Sequence, residues 1–137
     1  MKLQDKAIIV TGSTMGIGKA IAKRAIAEGA RVLVHGLEQT EGESVCKELG
    51  QDRTALHIDD LADPLAAQRT VGAAIAAFGK LDVLVNNAGM VVTGRLEDCE
   101  VAAFDRVMAV NARAPLFLTQ AAYPYLKKSG GNILNIG

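Results

Sequence analysis

The sequence predicts a doubly wound α/β fold, a parallel sheet with helices on both faces. Three observations carry that prediction. Strand-length apolar runs alternate with helix-length amphipathic segments along all 137 residues. The strand runs are β-branched and apolar throughout, as expected for strands buried on both faces of a parallel sheet. A glycine-rich turn, Gly12 to Gly18, joins the first apolar run to the first helix.

Lys6–Thr11 reads as the first strand. Gly18–Glu28 follows as a helix with Ile21, Ala22, Ala25 and Ile26 on one face, ended by Gly29. Arg31–His35 is the second strand, and Thr40–Leu49 is a helix ended by Gly50. Thr54–Ile58 is the third strand. Pro64–Phe78 is a helix with Asp63 as N-cap, Pro64 in its first position and Gly79 past its end. Leu81–Asn86 is the fourth strand. Residues from about Glu100 to Lys128 are mainly helical, interrupted near Pro115, and Asn132–Ile136 is the fifth strand.

In such a sheet a ligand sits beyond the C-terminal strand ends, where the strand order reverses. Three segments share that edge by topology: Gly12–Gly18, Asp59-Asp60 and Asn86-Asn87-Ala88-Gly89. Thr11-Gly12-Ser13-Thr14-Met15-Gly16-Ile17-Gly18 has the ordering of a phosphate cradle: buried strand, glycine turn, helix start. Glycines bring the backbone close to a ligand, and the free N–H groups of the helix start face an anion. The turn therefore predicts a dinucleotide pyrophosphate over Gly12 to Gly18.

Bulk properties exclude other classes. Half of the residues are hydrophobic and the formal net charge is zero, which suits one compact domain over 1–137. No basic run exceeds Lys127-Lys128, so there is no electrostatic case for nucleic acid. No apolar run approaches a membrane span. Met1–Lys6 lacks the apolar core of a secretory signal. Cys46 and Cys99 lack metal-ligand spacing; no metal is expected, and free thiols fit a reducing cytoplasm. His35 and His57 each end a strand and read as structural or solvent-facing, with no partner to make either a base. Met15 and Met90 border the glycine site or fill gaps.

Together, three motifs resemble the short-chain dehydrogenase/reductase family. Thr11-Gly12-x-x-x-Gly16-Ile17-Gly18 matches its cofactor loop, and Asn86-Asn87-Ala88-Gly89 its second signature. Asn111, in Val110-Asn111-Ala112-Arg113-Ala114-Pro115, matches the asparagine that supports its catalytic group. Asp60 sits where members hold the adenine. The resemblance implies a Rossmann-like sheet of order 3-2-1-4-5 and an NAD(P)-dependent oxidoreductase that passes hydride between nicotinamide and a carbonyl or secondary alcohol. The cofactor contacts it implies are Gly12, Ser13, Thr14, Gly16, Ile17, Gly18, Leu37, Asp60, Leu61, Asn87, Ala88 and Gly89. Asn111 takes a supporting role, shaping its helix so that a water joins a proton relay. A small-molecule substrate and a homo-oligomer are implied as well; the Glu100–Lys128 helix is a dimer surface in relatives, though its apolar positions serve equally as core.

Both NAD and NADP stay open. An acid at the end of strand two bonds a ribose 2′-OH, and a nearby arginine favours a 2′-phosphate. By the family pattern Gly36 holds the acid position and Leu37 the basic one, while Met15 replaces a frequent Lys or Arg. With no cation in either place and Glu38 close by, the balance leans to NAD.

The family's serine after strand five and its Tyr-x-x-x-Lys have no counterpart here, since Tyr123-Pro124-Tyr125-Leu126-Lys127 is not that motif. The expectation is therefore the N-terminal, cofactor-binding part of a longer enzyme, inactive by itself. Strand five would be an exposed edge with sheet faces uncovered, leaving the chain marginal or completed by another. The alternative is a non-catalytic dinucleotide-binding module.

Overall fold

The computed structural model describes residues 1–137. Strands β1 (Ala7–Val10), β2 (Arg31–Gly36), β3 (Thr54–Ile58), β4 (Val83–Asn86) and β5 (Asn132–Asn135) form one parallel sheet, ordered β3-β2-β1-β4-β5. This is the expected order. In register, Ile9 of β1 lies beside Leu33 on one side and Leu84 on the other.

Alternation along the strands divides the core in two. Ile8, Val10, Val32, Val34 and Val85 face α1 (Gly16–Ala27) and α2 (Gln39–Leu49), meeting Ala22, Ala25, Val45 and Cys46. Ile9, Leu33 and Leu84 face α3 (Ala66–Phe78) and α5 (Ala114–Ser129), meeting Val71, Ala74, Leu118 and Ala122. Alanine at the facing helix positions lets the helices lie close to the sheet. Each large side chain fully buried this way contributes roughly 1.5–3 kcal/mol.

Two elements start or break differently from the sequence expectation. Helix α3 begins at Ala66 instead of Pro64. Asp60 Oδ1 accepts the Ala62 N–H and Asp63 Oδ1 accepts the Leu65 N–H, each at 2.9 Å. These two side-chain turns in succession occupy the residues before the helix. The Glu100–Lys128 stretch consists of α4 (Val101–Met108), a π-helical turn at Ala109–Arg113, and α5. The interruption thus lies just ahead of Pro115, which sits in the first turn of α5. Pro124 lies inside α5 without ending it.

The strand boundaries also reflect local bonding. Just ahead of β4, which starts at Val83, the Asp82 carboxylate accepts the Ala7 N–H and the Asp82 N–H donates to the Ala7 carbonyl, both at 2.8 Å. β5 is an edge strand: Leu134 is 48% exposed, whereas Leu33 at the same sheet's centre is 1% exposed. No helix is long and apolar enough to cross a membrane.

Candidate functional site

Beyond the C-terminal ends of β1 and β4 the two loops are locked together. The Thr11 hydroxyl donates to the Val85 carbonyl and accepts from the Asn87 and Ala88 N–H groups at 3.0 and 2.9 Å. Asn87 Nδ2 donates back to the Thr11 and Gly12 carbonyls at 3.0 and 3.1 Å. Asn86 Nδ2 donates to Asn135 Oδ1 at 3.0 Å and joins β4 to β5. The Asn87 amide is thus paired with the β1 loop, whereas of the Asn86 amide only Nδ2 has a partner and the buried Oδ1 has none.

The glycines of the turn have distinct tasks. Gly12 has φ +60°, and a Cβ there would come 3.0 Å from Ala88 Cα. Gly16 has φ +57° and faces open space. A Cβ on Gly18 would overlap the Gly12 carbonyl oxygen and Asn87 Nδ2, so Gly18 serves close packing of α1 against the loop instead of lining the groove. Met15 provides no side-chain cap for α1, so the first-turn N–H groups are available to an anion. An open glycine before an uncapped helix start is a fit to a pyrophosphate.

Ser13 also stands behind the groove. It is fully buried; its N–H donates to the His35 carbonyl at 2.8 Å and its Oγ accepts the His35 N–H at 3.0 Å. His35 is buried as well. Its Nδ1 accepts the Gly12 N–H at 3.0 Å and its Nε2 donates to the Asp59 carbonyl at 3.1 Å, which fixes the tautomer. Burial of the ring pushes its pKa down to about 4, so it is neutral at pH 7. The solvent-facing alternative for His35 is thereby excluded. Asp59 accepts two bonds from Arg69, at 2.8 and 2.9 Å, and one from His57 at 3.1 Å. The Arg69 guanidinium is the main cause holding its carboxyl down to about 2.

A groove runs along this edge in two adjoining lobes. One, of about 700 Å³, is walled by Thr14, Met15, Gly36, Leu37, Glu38, Asp60 and Leu61. The other, of about 760 Å³, is walled by Asn111, Pro115, Thr119 and Asn135. Ile17, Asn87, Ala88, Gly89 and Met90 line both and mark the junction. Gly36, at the expected acid position, lies under Thr14, whose Cγ2 would be 2.5 Å from a Cβ there. An acid at that position would have to displace Thr14.

Asp60 lies on the first lobe with its Oδ2 paired to Arg106 of α4 at 3.1 Å. Arg106 is a groove residue that sequence reasoning missed; no motif marked it, because its partner lies 46 positions away. Asn111 sits in the π-helical turn. Its Oδ1 accepts the Met90 N–H and its Nδ2 donates to the Met90 carbonyl, both at 2.8 Å. That bidentate contact ties the helix to the segment following Gly89.

A parallel sheet of this order, with a glycine turn at the switch point and a groove over it, defines an NAD(P)-binding Rossmann fold. A family model described as short chain dehydrogenase matches residues 6–137, and the chain belongs to that family. It is 34% identical to an uncharacterized oxidoreductase of Thermotoga maritima, over 98% of this chain and 53% of that protein. Among solved structures, a short chain dehydrogenase from Burkholderia cenocepacia in complex with NADP superposes with a TM-score of 0.94 at 38% identity. A doubly substituted short-chain dehydrogenase/reductase from Serratia marcescens gives 0.93 at 36%. Both structures match 100% of this chain and 57% of their own. The chain thus spans a little over half the length of these relatives.

Proposed function

We propose that this chain forms the cofactor-binding part of an NAD(P)-dependent oxidoreductase acting on a small carbonyl or alcohol. The observation that carries this reading is the two-lobed groove with its junction at Ile17 and Asn87–Met90, directly over the uncapped start of α1. Gly12, Gly16 and Ile17 would receive the pyrophosphate. Thr14, Leu37, Asp60 and Leu61 would line the adenosine, while Ala88 and Gly89 pass beneath the ribose. Ser13 and Gly18 would act from behind, by holding the turn. When bound, the nicotinamide supplies the hydride chemistry. Asn111 would act in support, by holding the loop at Met90 and the π-helical turn in one geometry. Residues 1–137 alone are expected to turn nothing over. Homo-oligomerisation through α4 and α5 is consistent with the exposed Phe104, Met108, Leu116 and Phe117.

The first lobe favours NAD. Glu38 and Glu41 line it, and its one cation, Arg106, is paired with Asp60. A dianionic 2′-phosphate would meet two carboxylates with no unpaired cation. The Burkholderia neighbour holds NADP, so the choice is a sharp one to measure. The test is calorimetric titration with NAD and with NADP. Tighter binding of NAD is expected; tighter binding of NADP would reverse the preference, and binding of neither would remove the dinucleotide reading.

A further inference from the structure

We propose that His35 is a positioning residue for the dinucleotide: its Nδ1 holds the Gly12 N–H and so presets the turn that receives the pyrophosphate. The inference rests on the dinucleotide reading above and adds to it a residue outside the groove's signature motifs. Asn87 and Thr11 tie the turn on its β4 side. On the β2 side it is held by the Ser13–His35 backbone pair and by the His35 ring. Of the β2-side bonds, the ring bond is the one that reaches Gly12, whose N–H donates to Nδ1.

The ring is itself held in place. Its Nε2–H donates to the Asp59 carbonyl, and the Asp59 carboxylate is gripped by Arg69 and His57. A linked path therefore runs from the glycine turn through β2 and the end of β3 to α3. Protonating the ring would set N–H against N–H at Gly12 and release the turn. The ionisable groups around it are His57, with ring centroids 6.4 Å apart, and Asp59 and Asp60. Arg69 and Arg106 are already spent on those two carboxylates, and the glycine turn contributes only uncharged Ser13 and Thr14. A turn that must be ordered on binding lowers affinity by the entropy of ordering it.

The test is the dissociation constant for NAD and NADP in the native full chain and in two variants. His35→Asn keeps an acceptor near the Nδ1 position and drops the donor to Asp59. His35→Gln keeps a donor toward Asp59 and drops the acceptor. Binding is expected to weaken about tenfold or more in His35→Gln and by less than about threefold in His35→Asn. The parent's constant should rise as pH falls toward about 4 while that of His35→Asn stays flat. Equal loss in both variants, or parent-like binding in both, would reduce His35 to packing and overturn the proposal. If the parent bound neither dinucleotide, the functional reading would fail, and Gly12 amide exchange would still decide the loop assignment. Protection in the parent and His35→Asn with fast exchange in His35→Gln supports it; equal protection overturns it. Should the variants not fold, the nitrogen spectrum of the parent decides: an unprotonated Nδ1 supports the strut, a protonated one overturns it.

Discussion

The two sides of the sheet are finished to different degrees. Around β2 and β1 both faces are covered, and the β3 edge is half-buried along its length: Leu33 and Val34, successive residues of β2 pointing opposite ways, are 1% and 0% exposed. At β5 the α5 side is half covered through Ile133, while Leu134 and Ile136 look out over an apolar trough floored by Ile8, Val83 and Val85 and bordered by Ile17 and Ile21 of α1. The groove follows the same division. Its first lobe lies over the closed side, against the loops that follow β1, β2 and β3. Its second lobe lies over the open side, against Asn135 and Ile136. The two lobes are therefore framed by different elements, the first by the loops after β1, β2 and β3 and the second by α5 and β5. The turn that would hold the pyrophosphate is built by the loop after β1, the loop after β4 and His35 of β2, with no direct bond from β5.

The largest effect should come from Gly18→Val. The new side chain must overlap the Gly12 carbonyl and Asn87, where the loops of β1 and β4 interlock. We expect a loss of about 3 kcal/mol or more in denaturant unfolding, with dinucleotide binding abolished. Normal binding in this variant would mean that the closed half is looser than its contacts indicate.

Next comes pH. His35 falls from an ordinary 6.5 to about 4 on folding, so between those values the unfolded chain binds the extra proton. Stability is fully present above pH 6.5 and is lost as pH drops to about 4, by about 3 kcal/mol at most. Asp59 runs in a separate window: its depressed carboxyl adds stability that is lost between 3.8 and about 2. His35→Asn should flatten the upper window and leave the lower one. An unchanged profile above pH 4 would place the ring in water and sever the closed half's link to Gly12.

Much of the closed half was legible in the sequence because its signals are local. Glycine after α1, α2 and α3 marks a stop, and Gly79, at φ +75° with its N–H on the Ile75 carbonyl, does what its position suggests. Strand existence followed from apolar runs, to within one or two residues. The site residues that escaped, His35 and Arg106, have partners distant in sequence, and for His35 the partners are backbone groups. A search by residue type sees a histidine at a strand end; it does not see the Gly12 N–H. The start of α3 failed for a related reason, since Asp63 and Pro64 look the same before a helix as in a side-chain turn leading to one. The π-helical turn leaves no periodic mark, only an asparagine with a bidentate tie to Met90.

Asn111→Ala tests the join between the halves. It removes both bonds to Met90 and leaves an unpaired N–H and carbonyl partly exposed to water. A loss of about 1–2 kcal/mol is expected. Affinity for the dinucleotide should change less than about threefold, because Asn111 lines the second lobe alone. A large affinity loss would make the lobes interdependent and undo the separation drawn above.

The smallest effect isolates the open face. Leu33→Ala in the closed half should cost about 2–5 kcal/mol, as buried leucines do. Leu134→Ala, made on residues 1–137, should cost less than about 0.5 kcal/mol, since nearly half of that side chain already meets water and its removal leaves no cavity. The pair is informative because the two leucines share one sheet and one chemistry and differ in what lies over them. In a longer form of the protein, or at high concentration, a cost for Leu134→Ala approaching that of Leu33→Ala would show that further chain or a second copy covers β5 there. A cost that stays small in every form would mean that this edge is a surface, and that the closed half carries the fold unaided.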